Sequence, residues 1–205
     1  MDIKEKIIRS ATEQFMSYGV KSITMDEIAI NLGMSKRTIY ENFANKKELL
    51  IACVEYMHAT QEHEEEEIAE KAETILDEFF ELFYKADERY ERQGKFAYEI
   101  TKFYPDIFEN RYREYNERAI EKLKKRMQKG IDQGVILPNL NLEFSTYMML
   151  EMVYNVFSRR RRIVQMHIPL TDAFRYIIVY LLRGFSTDKG IRIIDEKIKN
   201  WKYVL

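Results

Sequence analysis

The chain is poor in the residues that interrupt helices or staple small folds. Of 205 residues, seven are glycine, three are proline and one is cysteine. So little glycine and proline argues against a strand-and-turn architecture and for long helices. The single cysteine, Cys53, excludes an intramolecular disulfide and suits a reducing compartment. Its place in an apolar helical run reads as a buried structural thiol. Also missing is any run of about 18 apolar residues, which excludes a membrane-spanning helix. Lys4, Glu5 and Lys6 precede the first apolar stretch, unlike a signal peptide. The expectation is a soluble, cytoplasmic protein. Bulk charge is missing too: 33 basic residues against 34 acidic ones give a net charge of −1, so the chain is no polyanion binder by overall charge.

What remains is helical rhythm. The length suits one or two helical domains with a sizeable core. Residues 2–18 carry Ile7, Ile8, Ala11 and Phe15 on one face and end at Gly19. A long helix is expected from Lys46 through Leu49, Leu50, Cys53 and Met57 to the polar stretch near His63, with Glu64 to Glu67 a solvated surface or loose connection. A second long helix runs from Ile68 to about Arg92 and is broken by Gly94; a short helix covers Phe96 to Tyr104; Pro105 opens another that reaches about Gln133. The outer face of that last helix, with Arg118, Lys122, Lys124, Lys125, Arg126 and Lys129, reads as solvated. Two more helices are expected near Leu142–Met166 and Thr171–Gly184, the latter so apolar, with Val179 and Tyr180 beside its main stripe, that it must be covered on most sides.

The most informative stretch is residues 24–47, TMDEIAINLGMSKRTIYENFANKK. Thr24 and Glu27 have capping-box spacing, flanked by Ile23 and Ile28 at the spacing of a hydrophobic staple. Ser35 is placed to cap a second short helix, stapled by Met34 and Ile39; Asn45 and Glu48 repeat the arrangement before a third. Two amphipathic helices joined by a tight turn at Leu32-Gly33-Met34, with Lys36-Arg37-Thr38 opening the second, make the layout of a helix-turn-helix. In that motif the first residues of the second helix reach base edges in the DNA major groove.

The charges point the same way. Lys36 and Arg37 stand in the first turn of one helix, Lys46 and Lys47 in the first turn of the next. Cations there oppose the helix macrodipole by about 0.3–1 kcal/mol each. A nearby phosphate reverses the sign, because helix N-termini and lysines both attract it. Residues 35–47 hold four cations against one carboxylate, Glu41, so the basic footprint is local.

Taken together, Ala11, Phe15, Gly19, Thr24, Ile28, Ala29, Gly33, Ser35, Tyr40, Phe43, Lys46, Glu48 and Leu49 resemble, in order and spacing, the TetR family of transcriptional regulators. The resemblance covers about the first quarter of the chain; the remainder is similar only in length and helical rhythm. It implies an all-α fold of about nine or ten helices, with a helix-turn-helix DNA-binding domain over residues 1–47 and a helical effector-binding and dimerisation domain over 48–205. It implies DNA contacts from Thr24, Ser35, Lys36, Arg37, Thr38, Tyr40 and Lys46, with Lys36, Arg37 and Thr38 at bases or adjacent phosphates and Tyr40, Lys46 and Thr24 on the backbone. Glu41 departs from the aromatic or histidine common at its position. A carboxylate there is repelled by phosphate unless it accepts from a cytosine amino group, and Glu41 is left out of the contact set.

The same resemblance implies a homodimer on a palindromic operator, built from the last two long helices through Met149, Met152, Val153, Val156, Phe174, Ile178, Leu181 and Leu182. It also implies a small hydrophobic or aromatic effector, held by aromatics such as Phe79, Phe83, Phe96, Tyr98, Phe103 and Tyr104, that releases a repressor from DNA. The alternative is an architectural or partner-controlled DNA-binding protein without an effector. Arg159 to Arg162 are spread around a helix rather than forming one patch, and pair with carboxylates or rim an interface.

An enzyme is the least supported reading. Its best material is His58/Glu62 and His63/Glu67, two i,i+4 pairs offset by five residues, whose faces diverge by roughly 140° on a helix. No HExxH, third convergent ligand, nucleotide loop or nucleophile elbow is present, and His167 beside Pro169 reads as structural. No cofactor, metal or catalytic residue is expected.

Overall fold

The structure, a computed structural model, describes residues 2–158, 165 and 167–199; side chains are described for these except at 87, 90–94, 108–117, 153–158 and 170–171. Among the described residues there are nine helices: α1 Ile3–Tyr18, α2 Met25–Leu32, α3 Lys36–Asn42, α4 Lys46–Lys71, α5 Ile75–Phe103, α6 Pro105–Asp132, α7 Leu142–Ser158, α8 Leu170–Phe185 and α9 Asp188–Ile198. The chain forms two compact units, Met1–Glu67 with Glu88–Arg113, and Ile68–Asp87 with Glu114–Leu205.

In the first unit, a core of Ile7, Ala11 and Phe15 from α1, Ile28 and Ala29 from α2, Ile39 from α3, Leu49, Leu50 and Cys53 from α4, and Phe96 and Ile100 from α5 is almost free of solvent. Of the stripe expected on α1, Ile7, Ala11 and Phe15 are buried and Ile8 is partly so. Cys53 is a buried free thiol, pushed up to about 12 by burial, as its apolar setting suggested. Residue 47 lies in the first turn of α4, whereas this unit also takes in Leu49, Leu50 and Cys53 further along that helix.

The second unit packs Ile75, Leu76, Phe79 and Phe80 of α5 and Leu123 and Met127 of α6 against Met149 of α7, Phe174, Ile178 and Leu182 of α8, and Ile194 of α9. Helix α7 lies along α8. The loop after α6 is tied to the α8–α9 turn: Leu137 donates to the Phe185 carbonyl at 2.8 Å and Thr187 to that of Val135 at 3.1 Å. Glycine at 190 lets α9 approach so closely that an added Cβ would stand 2.2 Å from the Val135 carbonyl oxygen.

Four helix boundaries differ from the sequence reading. Helix α4 runs on to Lys71, so Ile68 ends it rather than opening the next helix. The start of α5 is set by Thr74, which accepts from Asp77 N–H at 3.2 Å while Asp77 Oδ2 accepts from Thr74 N–H at 3.0 Å, a capping box the sequence reading missed. Gly94 breaks nothing, since α5 continues through it to Phe103; one glycine costs a helix about 1 kcal/mol relative to alanine, too little to stop one that buries Phe79 and Phe80 before the glycine and Phe96 and Ile100 after it. The last difference is α9, which the sequence reading did not anticipate, capped by Thr187 through Gly190 N–H. Arg126 is a further correction to the solvated face of α6: it turns inward, its Nε donating at 2.6 Å to Glu78, a carboxylate that is itself buried.

Gly190→Ala is expected to lower unfolding free energy by about 1–3 kcal/mol through overpacking against Val135, read as a shifted denaturant midpoint with unchanged slope.

Candidate nucleic-acid interface

Helices α2 and α3 are short, and their ends are defined by side chains. Thr24 and Glu27 form the complete capping box of α2: Glu27 N–H donates to Thr24 Oγ1 at 3.2 Å and Thr24 N–H to Glu27 Oε2 at 2.6 Å. Those bonds, the backbone one first, hold the Glu27 carboxyl below its ordinary value. Gly33 ends α2 in the left-handed region, at φ 63° and ψ 27°, where a Cβ is disfavoured. Met34 N–H then reaches back to the Ala29 carbonyl at 2.9 Å, closing the turn in the manner of a Schellman motif. Ser35 caps α3, accepting from Thr38 N–H at 3.0 Å. At α4, Asn45 Oδ1 accepts from Glu48 N–H at 3.0 Å, but Glu48 reaches Ala44 N–H at 2.7 Å rather than Asn45.

Because Ile39 is buried and Phe43 follows it into the core, the rest of α3 faces outward. Lys36, Arg37, Tyr40 and Glu41 are exposed, and Thr38 and Asn42 partly so. Of the seven residues expected to meet DNA, Ser35, Lys36, Arg37 and Tyr40 lie exposed on or next to one short helix, with Thr38 beside them. Two of the hydroxyls have local work: Ser35 Oγ and Thr38 Oγ1 are 2.8 Å apart. Thr24 is exposed at the start of α2. Lys46 is only partly exposed. Its ammonium donates to the Val20 carbonyl and lies 5.7 Å from the Phe15 ring centroid, and burial, outweighing the nearby Glu27, pulls its pKa down.

The misplaced cations have partners that the sequence reading did not assign. Lys36 pairs with Asp26 of α2. Arg37 pairs with Glu41 at 2.7 Å. Lys47 pairs with Asp106, the second residue of α6, at 2.5 Å, and that bond holds the Asp106 carboxyl below its usual range. No sequence periodicity could have found Asp106, which lies 59 positions away.

The aromatic set is divided between the two units. Phe79 and Phe83 belong to the second unit, stacked with centroids 6.2 Å apart, and Phe83 meets Phe174 edge-on at 5.7 Å. Phe96 and Tyr104 belong to the first unit, where Phe96 stacks on Phe15 at 6.4 Å; Tyr98 and Phe103 are exposed. Of the expected dimer contacts, Met149, Phe174, Ile178, Leu181 and Leu182 are buried in the chain's own core, and Met152 is exposed. The side chains of Val153 and Val156, and Arg159 to Arg162 as a whole, lie outside the described residues. Among the described residues, the exposed large apolar groups of α7 and α8 are Phe144, Tyr147, Met152 and Tyr180, with Tyr180 stacked on Tyr176 at 6.0 Å. His63 lies 3.5 Å from Glu67, and among the described residues no three His, Cys, Asp or Glu side chains group as a metal site would. Nor is any helix of the described residues long and apolar enough to cross a membrane.

An amino-terminal helix-turn-helix followed by a larger helical region defines the class. Residues 7–53 match the family model of the bacterial regulatory proteins of the tetR family. It is 43% identical over 49 residues to YhgD, an HTH-type transcriptional regulator of Bacillus subtilis (strain 168), a match that spans 24% of this chain and only 26% of that protein. The fold extends the likeness over nearly the whole chain. A transcriptional regulator from Cytophaga hutchinsonii ATCC 33406 superposes with a TM-score of 0.77 at 18% identity, over 89% of this chain and 98% of that one. SmeT, the repressor of the Stenotrophomonas maltophilia multidrug efflux pump SmeDEF, superposes with a TM-score of 0.68 at 19% identity, over 93% of both chains; SmeT has also been solved as a triclosan complex, with a TM-score of 0.67 at 18% identity over 91% of this chain and 93% of that one.

Thr24→Ala removes one half of the α2 capping box outright, and is expected to cost about 0.5–2 kcal/mol, read by thermal melting of the purified chain.

Proposed function

We propose that this chain is a sequence-specific DNA-binding transcriptional regulator that acts as a homodimer on a palindromic operator, as a repressor released by a small hydrophobic or aromatic effector. The observation that carries the DNA reading is α3, a capped helix that buries Ile39 and turns Lys36, Arg37 and Tyr40 outward. Lys36, Arg37 and Thr38 supply donors for base edges or adjacent phosphates. Ser35, Tyr40 and Thr24 supply hydroxyls for the backbone, and Lys46 adds a cation. Phosphate contacts set register and base contacts set sequence. One helix of seven residues reads few bases, so a twofold dimer reading two half-sites suits it. The exposed apolar groups of α7 and α8, Phe144, Tyr147, Met152 and Tyr180, are the surface for that pairing.

Release by an effector requires a ligand that binds one state better than the other. SmeT, which has this fold and is a repressor, binds triclosan, and that supports a hydrophobic ligand here. The division of the six aromatics between two cores and the surface favours the second reading, an architectural or partner-controlled factor without an effector. Titration of the DNA complex with hydrophobic compounds separates the two.

Selection of bound genomic fragments by the purified chain, followed by footprinting, is expected to give a short inverted repeat covered symmetrically. Salt-sensitive binding with no preferred sequence would count for an architectural role. Arg37→Ala should relax sequence choice at one base pair per half-site and weaken specific binding by about 1–3 kcal/mol. Lys46→Ala should weaken all sequences alike and flatten the salt dependence. It should also lower the melting temperature, because the Val20 contact is lost. Identical behaviour of the two variants across operator sequences would overturn the division into readers and anchors.

A further inference from the structure

We propose that Glu41 sets the specificity of the recognition helix without touching DNA: it fixes the Arg37 guanidinium so that its two terminal nitrogens face outward as a fork for a guanine edge. The inference rests on the DNA reading above and deepens it by naming the base class and the residue that positions its reader. Glu41 Oε1 accepts from Arg37 Nε at 2.7 Å, one helical turn away. Among the described residues, Nη1 and Nη2 of Arg37 have no hydrogen-bond partner.

The pair is poorly placed to serve the helix. Arg37 stands in the first turn of α3 and Glu41 near its end, so each charge lies at the end where the helix dipole disfavours it. A cation preceding an anion is also the weaker order for an i,i+4 pair. With side chains 87% and 58% exposed, the pair contributes little stability in water. Nor does it suit a phosphate anchor, since a carboxylate on the guanidinium repels the phosphate it would hold.

It does suit a guanine. The major-groove edge of guanine presents two acceptors, O6 and N7, and an arginine meets them with two parallel N–H groups. A guanidinium can offer two adjacent pairs, Nε with one Nη or the two Nη together. Glu41 occupies Nε, which removes the side-on pair and leaves the end-on one. It also holds a long side chain that would otherwise lose rotamer freedom on binding. Lys36 is held differently, by Asp26 on the neighbouring helix, and a lysine ammonium lacks the planar fork altogether.

The test uses the full chain, with Glu41→Ala, Glu41→Gln and Arg37→Ala compared by selection from random duplexes and by binding titrations at several salt concentrations. The expected wild-type motif contains one guanine per half-site whose preference Arg37→Ala abolishes. Glu41→Ala should reduce preference at that same guanine on the order of 3- to 10-fold, while binding to unrelated duplex rises because a carboxylate is gone. Glu41→Gln, whose amide oxygen still accepts from Nε, should retain most of the preference. All three should melt near the wild type, as the pair is exposed. An unchanged guanine preference in Glu41→Ala would overturn the proposal, as would a loss confined to a different base pair, which would make Glu41 a direct reader of a cytosine amino group. A wild-type chain that selects no motif would overturn the regulator reading itself, and that result is read before any variant.

Discussion

A helix of seven residues does not hold itself together in water. Nucleation is costly, and isolated helices shorter than about 12 residues are marginal even in favourable sequences. Helix α3 exists because Ile39 and Phe43 are sunk into the core formed by Phe15, Ile28 and Leu49, and because Ser35 and the left-handed Gly33 fix where it starts. Everything its surface can do depends on that anchoring. With a single buried residue in the helix proper, nearly all of its side chains are left to outward work, and the stability comes from neighbours. The arrangement separates the two demands: the core residues of α1, α2 and α4 hold position, and the α3 residues are free to be chosen for what they touch.

Electrostatics on this surface follow the same division. Lys36, Arg37 and Lys47 each have a carboxylate partner, and Lys46 has a carbonyl and a ring face. A cation so paired attracts a phosphate less strongly than an unpaired one, because the partner carboxylate repels it. If this surface meets DNA, phosphates would exchange with Asp26 on Lys36 and with Asp106 on Lys47, while Glu41 would keep its place on Arg37 Nε. Such an exchange lowers the net gain for any duplex and leaves a larger share of affinity to base contacts. It would favour selectivity over strength, in a chain whose overall charge is −1 and whose basic footprint is confined to a few residues.

The helix-turn-helix was legible in the sequence because its signals are local. Thr24 with Glu27, Ser35 with Thr38 and Gly33 between them act across three to five positions, and each gives the bond its spacing implies. The stripe of α1 and the buried thiol of Cys53 were legible for the same reason. What escaped is long-range or compensatory. Gly94 has the composition of a breaker, but the packing of α5 on both sides of it outweighs a weak intrinsic preference. Arg126 looks solvated by its neighbours in sequence, and only the fold reveals the buried Glu78 beneath it, 48 positions away. The aromatic residues of α5 showed correctly that much apolar surface must be covered. A count of rings does not by itself distinguish a ligand cavity from a packed core, because both draw on the same groups.

In α7 and α8, periodicity alone does not separate core positions from those available to a partner. In α8 the residues spaced to face one direction, Phe174, Ile178 and Leu182, are consumed by the chain's own core. A side chain with no solvent contact has no hydrophobic free energy left to release on association. Among the described residues of α7 and α8, the large apolar groups left exposed are Phe144, Tyr147, Met152 and Tyr180, and three of these four are aromatic, the class enriched in the cores of protein interfaces. Two are tyrosines, able to bury a ring while the hydroxyl keeps a polar partner. A dimer built on α7 and α8 would therefore be held by the residues that interrupt the aliphatic stripe, not by the stripe. The stripe packs α8 against α7, which would hold the exposed rings in fixed positions for a second copy.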